Sequence, residues 1–388
     1  MTALPTPRLD LDGLTVGPDA RWGSVRLVPL LRAAPIPGLR LHGRVDEDGR
    51  VDGGSRAVAA RPNGTREVSY VPHSYAAPWD EEAWGGFTYG TQLVPVEPSA
   101  AGPRREAALL RRPGRGRPGR AGFLPLHLAV EGYLCLRFGA PTFTWADWSR
   151  STVRHGPGAR SDTFVSGEDV AGLAEALRVF EIHRDQCGVA VYVADTLASV
   201  HVYPCAEDYR ALHHGLLLDL FADTMYTYGL MYPDAPVHYD PIDPESVRDL
   251  GDLRRAVAAS RAATARVHDG LLRTSLTDGH EFERVQEWRG FTTHRFFPEF
   301  SRQGENHVGE LVTDAEGRTA LLQTFRLSPA QVRRGHLLRT LEENEWSAPM
   351  AARDLRTSEP DLLDRLRRAG LGALLAPGLL SRHRRARA

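Results

Sequence analysis

Apolar and polar positions alternate differently along this chain, and the pattern predicts an α+β protein. Residues 13–98 contain short apolar runs separated by Asp-Gly, Gly-Gly and Asn-Gly pairs, which is typical of strands and hairpins. Residues 99–121 lose this alternation and become rich in Pro, Gly and Arg. The sequence therefore predicts a β-rich N-terminal part followed by a solvated loop.

Helical spacing begins after this loop. The run FLPLHLAVEGYLCLRFG has a helical period, and residues 166–169 read as a capping box before a second helix. Residues 187–203 form two apolar stretches around a turn near Asp195, and one long helix is expected over about 206–228. Residues 122–235 are thus predicted to be a mixed helix and hairpin region.

The next segment, residues 244–326, is predicted to combine one helix with strands. An Arg- and Ala-rich helical pattern covers 244–275, and strand patterns return over 281–326. The sequence Asp-Ala-Glu-Gly at 314–317 predicts a hairpin turn.

Residues 327–375 are predicted to form a small helical unit, and residues 376–388 a basic tail. Two short amphipathic helices are expected around a four-residue break, one from the N-cap Ser347 to Leu355 and one from Ser358 to Gly370. Where these helices cross, we expect burial of three leucines: Leu355, Leu362 and Leu366.

Composition limits the classes of function. The chain has 388 residues, a formal net charge of −1 and three cysteines, so it has ample length for a large core and no global field for nucleic acid. No apolar signal core or membrane-length apolar run is evident, which predicts a soluble cytoplasmic protein without membrane contact. All 48 basic residues are arginine. A Schiff-base lysine and a P-loop lysine are therefore excluded.

The C-terminal helices resemble the DNA-binding domain of the Fis family. Paired alanines at 351–352, a leucine, a turn, the cap Ser358 and a second helix ending near Gly370 carry the resemblance. It implies a helix-turn-helix that contacts DNA. The family has glycine where this chain has Arg356. A docked or dimerising helical bundle is the alternative.

The second helix carries outward acids that repel phosphate. Phosphate contacts of such a domain would therefore have to come from Ser358 and from arginines. The acids are Glu359, Asp361 and Asp364. The candidate DNA-binding arginines are Arg356, Arg365, Arg367, Arg368, Arg384 and Arg385. An Arg-Gly-Arg-Pro sequence at 115–118 also has the pattern of an AT-hook, although a plain linker explains it as well.

A second resemblance covers residues 186–229, which read QCGVAVYVADTLASVHVYPCAEDYRALHHGLLLDLFADTMYTYG. This run is similar to the closing module of the ARPP families, proteins associated with ADP-ribosylglycohydrolases and rhodanese-phosphatases. The matching residues are Gln186, Gly188, Asp208, Tyr209, Leu217 and Tyr226, and the stretches at 13–17 and 28–30 resemble the opening of the family. The resemblance implies a strand pair under a closing helix and a link to ADP-ribose or NAD chemistry.

Two loops carry residues with chemical potential. His238, Asp240 and Asp243 offer an imidazole and two carboxylates that could serve catalysis or hold Mg²⁺, but Asp243 with the following proline also reads as a helix start.

A second set could stack on and hydrogen-bond a nucleotide, or could simply end a packed strand. It comprises Arg295, Arg302, Asn306 and His307.

Other polar residues are better explained by packing. Cys187 begins an apolar strand and is predicted to be a buried structural thiol. The adjacent His213 and His214 cannot easily share a metal on one helix, so we expect one to face inward and one outward. We therefore assign no metal site and no cofactor.

The pattern favours a non-enzymatic cytoplasmic binding or regulatory protein, and the two resemblances imply an association with DNA and a link to ADP-ribose or NAD metabolism. The alternatives are an enzyme acting on a nucleotide or ADP-ribosyl substrate, and a protein-interaction scaffold that dimerises.

Overall fold

The computed structural model describes residues 11, 13–42, 56–60, 66–69, 75–76, 87–88, 106–107, 122–123, 126–138, 173, 177, 182–237, 239–276, 279–288 and 290–375. These residues form an α+β fold whose N-terminal part is rich in strands, as predicted.

Strands dominate the first part of the described chain, and further strands follow as far as residue 326. They are β1 (Leu14–Val16), β2 (Ala20–Trp22), β3 (Val25–Arg32), β4 (Leu39–His42), β5 (Arg56–Ala60), β6 (Arg66–Ser69), β7 (Tyr75–Ala76), β8 (Phe87–Thr88), β9 (Glu106–Ala107), β10 (Gly122–Phe123), β11 (Gln186–Val193), β12 (Thr196–Val202), β13 (His280–Trp288), β14 (Phe291–Pro298), β15 (His307–Thr313) and β16 (Thr319–Arg326).

The described helices all come after β10, between and after the later strands. They are α1 (Leu126–Phe138), α2 (Ala206–Gly215), a π-helical turn (Leu216–Leu220), α3 (Ala222–Met231), α4 (Leu250–Leu276), α5 (Pro329–Glu343), α6 (Ala348–Asp354) and α7 (Glu359–Arg368), with short 3₁₀ turns at Pro244–Ser246 and Gly372–Leu375.

Nine antiparallel strands make the central sheet, in the order β1-β3-β11-β12-β16-β15-β14-β13, with β2 also paired to β3. The sheet therefore joins strands from both ends of the chain. Ser199 of β12, for example, lies opposite Phe325 of β16. Two smaller sheets are formed by β10-β7-β8-β9 and β4-β5-β6.

The sequence of each central strand matches its place in the sheet. The runs VRLVPLLR in β3 and QCGVAVYV in β11 are nearly continuously apolar, and β11 is buried along its whole length. Such runs suit strands that are covered on both faces. Strand β13 ends the sheet order and carries Glu281, Glu283, Arg284 and Glu287, as expected of an edge strand that must not pair with other chains.

Apolar cores lie on both faces of the sheet. One core joins alternate residues of the sheet, such as Val189 and Phe325, to α1 and the C-terminal helices, and we call this side the α1 face. The other core joins residues such as Leu311 to Leu272 and Leu276 of α4, and we call this side the α4 face. Strand residues two apart share a face, so the sheet register assigns each side chain to one core.

The strand pair predicted at 186–203 is confirmed. Its valines are all buried: Val189, Val191, Val193, Val200 and Val202. The single long helix expected at 206–228 is wrong, because the chain leaves α2 for a π-helical turn before α3 begins. Consecutive buried residues in LLLDLF explain the break. The wider π turn lets neighbouring apolar side chains enter the core together.

The C-terminal helices α6 and α7 are separate, as predicted. Leu362 and Leu366 are fully buried, and the half-buried Leu355 packs against the same core. The amide of Thr357 donates to the carbonyl of Ala352 at 2.9 Å, which closes α6 in a Schellman motif.

The residue inside this motif is Arg356, with a φ of +50°. The N-cap hydroxyl of Ser358 then accepts a hydrogen bond from the Asp361 amide and begins α7. An arginine in the left-handed backbone conformation thus occupies the position for which glycine is best suited.

Some predicted features lie outside the described residues: the capping box at 166–169, the Arg-Gly-Arg-Pro sequence at 115–118 and the basic tail. The hairpin turn at 314–317 is present between β15 and β16. Among the described helices, none is both long enough and apolar enough to span a membrane.

Candidate functional site

A row of polar side chains crosses the α1 face of the sheet. Arg295 of β14 lies opposite Glu310 of β15, Glu310 lies opposite Gln323 of β16, and Gln323 lies opposite His201 of β12. We call these four residues the polar row. All four are at most 4% exposed, so charged and amide groups replace apolar side chains across four strands of the core.

At one end of the polar row, the buried guanidinium of Arg295 lies beside the buried carboxyl group of Glu310. Nε of Arg295 lies 3.8 Å from Oε1 of Glu310, and its Nη1 lies 3.7 Å from the exposed Glu283. Burial disfavours the carboxylate more than Arg295 favours it, which raises the pKa of Glu310 to about 7. Burial thus favours the protonated, neutral form of Glu310.

Tyr133 of α1 belongs to the same neighbourhood. Burial first, and the charge of Glu310 second, raise the pKa of this phenol well above its ordinary value, while Arg295 opposes the shift. The ring of Tyr133 lies 5.9 Å from that of Phe325. Helix α1 thus places a neutral hydroxyl near the polar row.

His201 ends the row among aromatic rings. The rings of Phe221 and Phe325 lie edge-on to its imidazole, both at 5.5 Å, and burial lowers its pKa to about 3. The hydroxyl of Ser199 lies 3.0 Å from Nε2 and donates its own proton to the carbonyl of Thr324. Burial thus favours the neutral imidazole of His201.

Three residues that carry the ARPP resemblance, Gln186, Gly188 and Tyr209, meet beside this row. The amide of Gln186 donates to the hydroxyl of Tyr209 and to the carbonyl of Gly188, both at 3.2 Å. A Cβ on Gly188 would lie 2.2 Å from the carbonyl oxygen of His201, so only glycine fits there. The motif therefore fastens α2 to the start of β11.

The two adjacent histidines behave as predicted. His213 is buried, with its Nδ1 2.7 Å from the hydroxyl of Tyr209, whereas His214 is exposed. Burial, with a smaller effect of His214, lowers the pKa of His213 to about 4. Cys187 is also buried, as predicted, and burial raises its pKa.

Of the three residues considered for catalysis, the structure describes two, Asp240 and Asp243, and both are exposed. Asp243 is exposed and caps a short 3₁₀ turn by accepting from the amide of Glu245 at 3.0 Å. Asp240 is exposed, and its backbone carbonyl accepts from Ser260. His238 lies outside the described residues. In the part of the chain that the structure describes, no group of three or more His, Cys, Asp or Glu residues could hold a metal.

The four residues considered for nucleotide binding are divided between different places. Arg295 faces the α1 side of the sheet, whereas His307 faces the α4 side. Asn306 donates two hydrogen bonds of 2.7 Å to carbonyls of its own loop, and Arg302 is exposed on that loop. His307 is fully buried, and burial lowers its pKa to about 3.

The candidate DNA contacts lie on and before α7. Arg356 and Arg368 are exposed. Arg365 donates to the hydroxyl of Thr357 at 3.3 Å, and Arg367 pairs with Asp364 at 2.6 Å. Arg384 and Arg385 lie outside the described residues.

Sequence reasoning selected one member of the polar row, Arg295, and missed the other three. A usable signal was present, since Glu310 and Gln323 each interrupt an otherwise apolar strand at its middle. A charged or amide residue at such a position must find a buried partner.

Comparison with known proteins yields one family. The family model ARPP-2 matches residues 9–289, which include β1 to β13. No curated protein and no solved structure matches the chain. Because the match covers more than two thirds of the sequence, the chain belongs to the ARPP-2 family.

Proposed function

We propose that this ARPP-2 protein is a non-enzymatic, cytoplasmic binding or regulatory protein that contacts DNA weakly through its C-terminal helices. We also propose a link to ADP-ribose or NAD metabolism, which rests on the resemblance to the ARPP families. The observation that carries the proposal is the arrangement of α6 and α7, two short helices joined by a tight turn, with the outer face of α7 exposed.

Packing supports a rigid presentation of α7. Leu362 and Leu366 join the same core as α1 and the sheet, so α7 is anchored on one side. Arg137 of α1 pairs with Glu342 of α5 at 2.9 Å and with Glu281 of β13 at 3.2 Å. These ion pairs connect α5 to α1 and to the central sheet. A ligand would meet a preformed surface.

The charges of α7 support weak binding. Glu359 and Asp361 occupy the exposed first turn, where they favour the helix dipole but repel phosphate. The basic residues lie in the last turn, and Arg367 is already paired with Asp364. We therefore expect micromolar affinity, which is about the range of non-specific duplex binding.

A salt titration tests this proposal. Fluorescence anisotropy with labelled duplex DNA would compare the wild-type chain, Glu359→Gln/Asp361→Asn, and a chain with Arg384 and Arg385 replaced by Ser. Neutralising the acids should tighten binding, whereas Arg384→Ser/Arg385→Ser should weaken it and lower the salt slope by about one unit for each lost phosphate contact.

Glu316→Gln is the matched control, because Glu316 is 67% exposed but lies in the turn between β15 and β16. Tight, sequence-specific binding with the same affinity after Arg384→Ser/Arg385→Ser would show that another face of the protein contacts the DNA bases. No binding even after neutralisation of the acids would favour the protein-interaction scaffold.

A further inference from the structure

The end of α3 and the chain after it expose several large side chains. Tyr228 is 36% exposed, Tyr232 47%, Met231 75% and Tyr239 62%. The rings of Tyr228 and Tyr232 are stacked with their centres 5.3 Å apart. We call residues 226–239 the aromatic segment. Exposed aromatic side chains grouped in this way are typical of binding surfaces.

The main chain of the aromatic segment is held in place at residues 235 and 236, while its tyrosines and Met231 are exposed. The amide of Ala235 donates to the carbonyl of Gly23 at 2.9 Å. The buried guanidinium of Arg26 donates to the carbonyl of Pro236 and pairs with Asp19 and Asp195. Because the backbone is fastened to the sheet, binding would cost little ordering of this surface.

The same part of the chain is strongly acidic. Residues 233–252 contain six carboxylates and one arginine, a net charge of −5 if histidine is neutral, in a protein whose total is −1. Five of these acids are exposed: Asp234, Asp240, Asp243, Glu245 and Asp249. Tyrosine faces and carboxylates together favour guanidinium groups, which stack on rings and form paired hydrogen bonds with carboxylates.

The C-terminus of the chain has the complementary chemistry. Residues 376–388 contain four arginines and no acid. These 13 residues follow Leu375, the last described residue, and could extend over roughly 45 Å. We propose that the aromatic segment and its neighbouring acids bind the chain's own arginine tail. This proposal does not depend on binding to DNA.

A peptide-binding experiment tests it with the full-length chain. A fluorescent peptide of residues 376–388 is titrated with the wild type and with a tail variant in which Arg382, Arg384, Arg385 and Arg387 are all Ser. The tail variant should bind the peptide at least tenfold more tightly, because an attached tail competes at a high effective concentration.

Further changes in the tail variant locate the surface. Tyr228→Ser/Tyr232→Ser should weaken peptide binding at least threefold, whereas Tyr228→Phe/Tyr232→Phe should retain it, since the ring face makes the contact. Asp234→Asn/Asp240→Asn should weaken binding more than Glu287→Gln/Glu316→Gln, which removes the same number of charges from acids that are 66% and 67% exposed elsewhere on the protein. A peptide with lysine for each arginine should bind less tightly.

Three results would overturn the proposal. One is equal peptide affinity for the wild type and the tail variant, which would show that the tail does not occupy the surface. Another is unchanged affinity after Tyr228→Ser/Tyr232→Ser in a variant whose circular dichroism shows it to be folded. The third is an equal effect of Glu287→Gln/Glu316→Gln and Asp234→Asn/Asp240→Asn, which would reduce binding to general charge attraction.

Discussion

Replacing Arg356 with glycine should stabilise the C-terminal helices. Arg356 has a φ of +50° and sits between the two hydrogen bonds of the Schellman motif, Arg356 N to Arg353 O at 3.0 Å and Thr357 N to Ala352 O at 2.9 Å. A side chain with a Cβ is strained in this conformation by about 1–2 kcal/mol, whereas glycine is not. Glycine also gains freedom in the unfolded chain, which costs about 0.5–1 kcal/mol, so we expect a net gain of about 0.5–1 kcal/mol.

Hydrogen exchange of the amides in α6 and α7 would measure this gain locally. A gain of 1 kcal/mol corresponds to roughly fivefold slower exchange. Arg356→Ala controls for the lost guanidinium, because it retains the Cβ and should stay within about 0.5 kcal/mol of the wild type. Arg353→Gly is the opposite control, since it places glycine inside α6 and should cost about 1 kcal/mol. If Arg356→Gly is no more protected than Arg356→Ala, the strain argument is wrong.

Two predictions concern buried charges. The folded-state pKa of Glu310, about 7, lies above its ordinary value of 4.5, so this residue contributes stability that is lost as pH rises from about 4.5 to about 7. In urea titrations the unfolding free energy of the wild type minus that of Glu310→Gln should fall by about 3 kcal/mol across this window, and a flat difference would show that Arg295 keeps the carboxylate ionised. The lowered pKa of His201 acts in the opposite direction at lower pH, but it is common to both proteins and cancels. Arg26→Met should cost about 3 kcal/mol in the same titrations, because it leaves partly buried acids without their partner, and a cost below 1 kcal/mol would mean that solvent replaces the guanidinium.

Local patterns in the sequence were enough to predict much of the fold. The hairpin at 186–203 could be recognised because two apolar runs flank a turn, and α6 and α7 because caps and leucine spacing coincide. The break after α2 could not be predicted. In LLLDLF almost every residue is apolar, so the run has no period from which to locate a π turn.

The polar row shows why the site was harder to predict than the fold. His201 joins Arg295, Glu310 and Gln323 because β12 lies beside β16, a pairing that no local pattern specifies. Proximity along the sequence was also misleading. Arg295 and His307 were grouped because they lie in one short stretch of sequence, yet they are on adjacent strands and face opposite sides of the sheet.

The pairing of β12 with β16 also affects how the protein is made. Ser199 leaves the ribosome about 125 residues before its partner Phe325, which is roughly 6 to 25 s at ordinary rates of translation. During that interval β12 is the unprotected edge of a growing sheet, with an apolar strand open to other nascent chains. Slower translation before residue 326, or too little chaperone, should therefore increase aggregation of this protein more than it lowers the stability of molecules that have already folded.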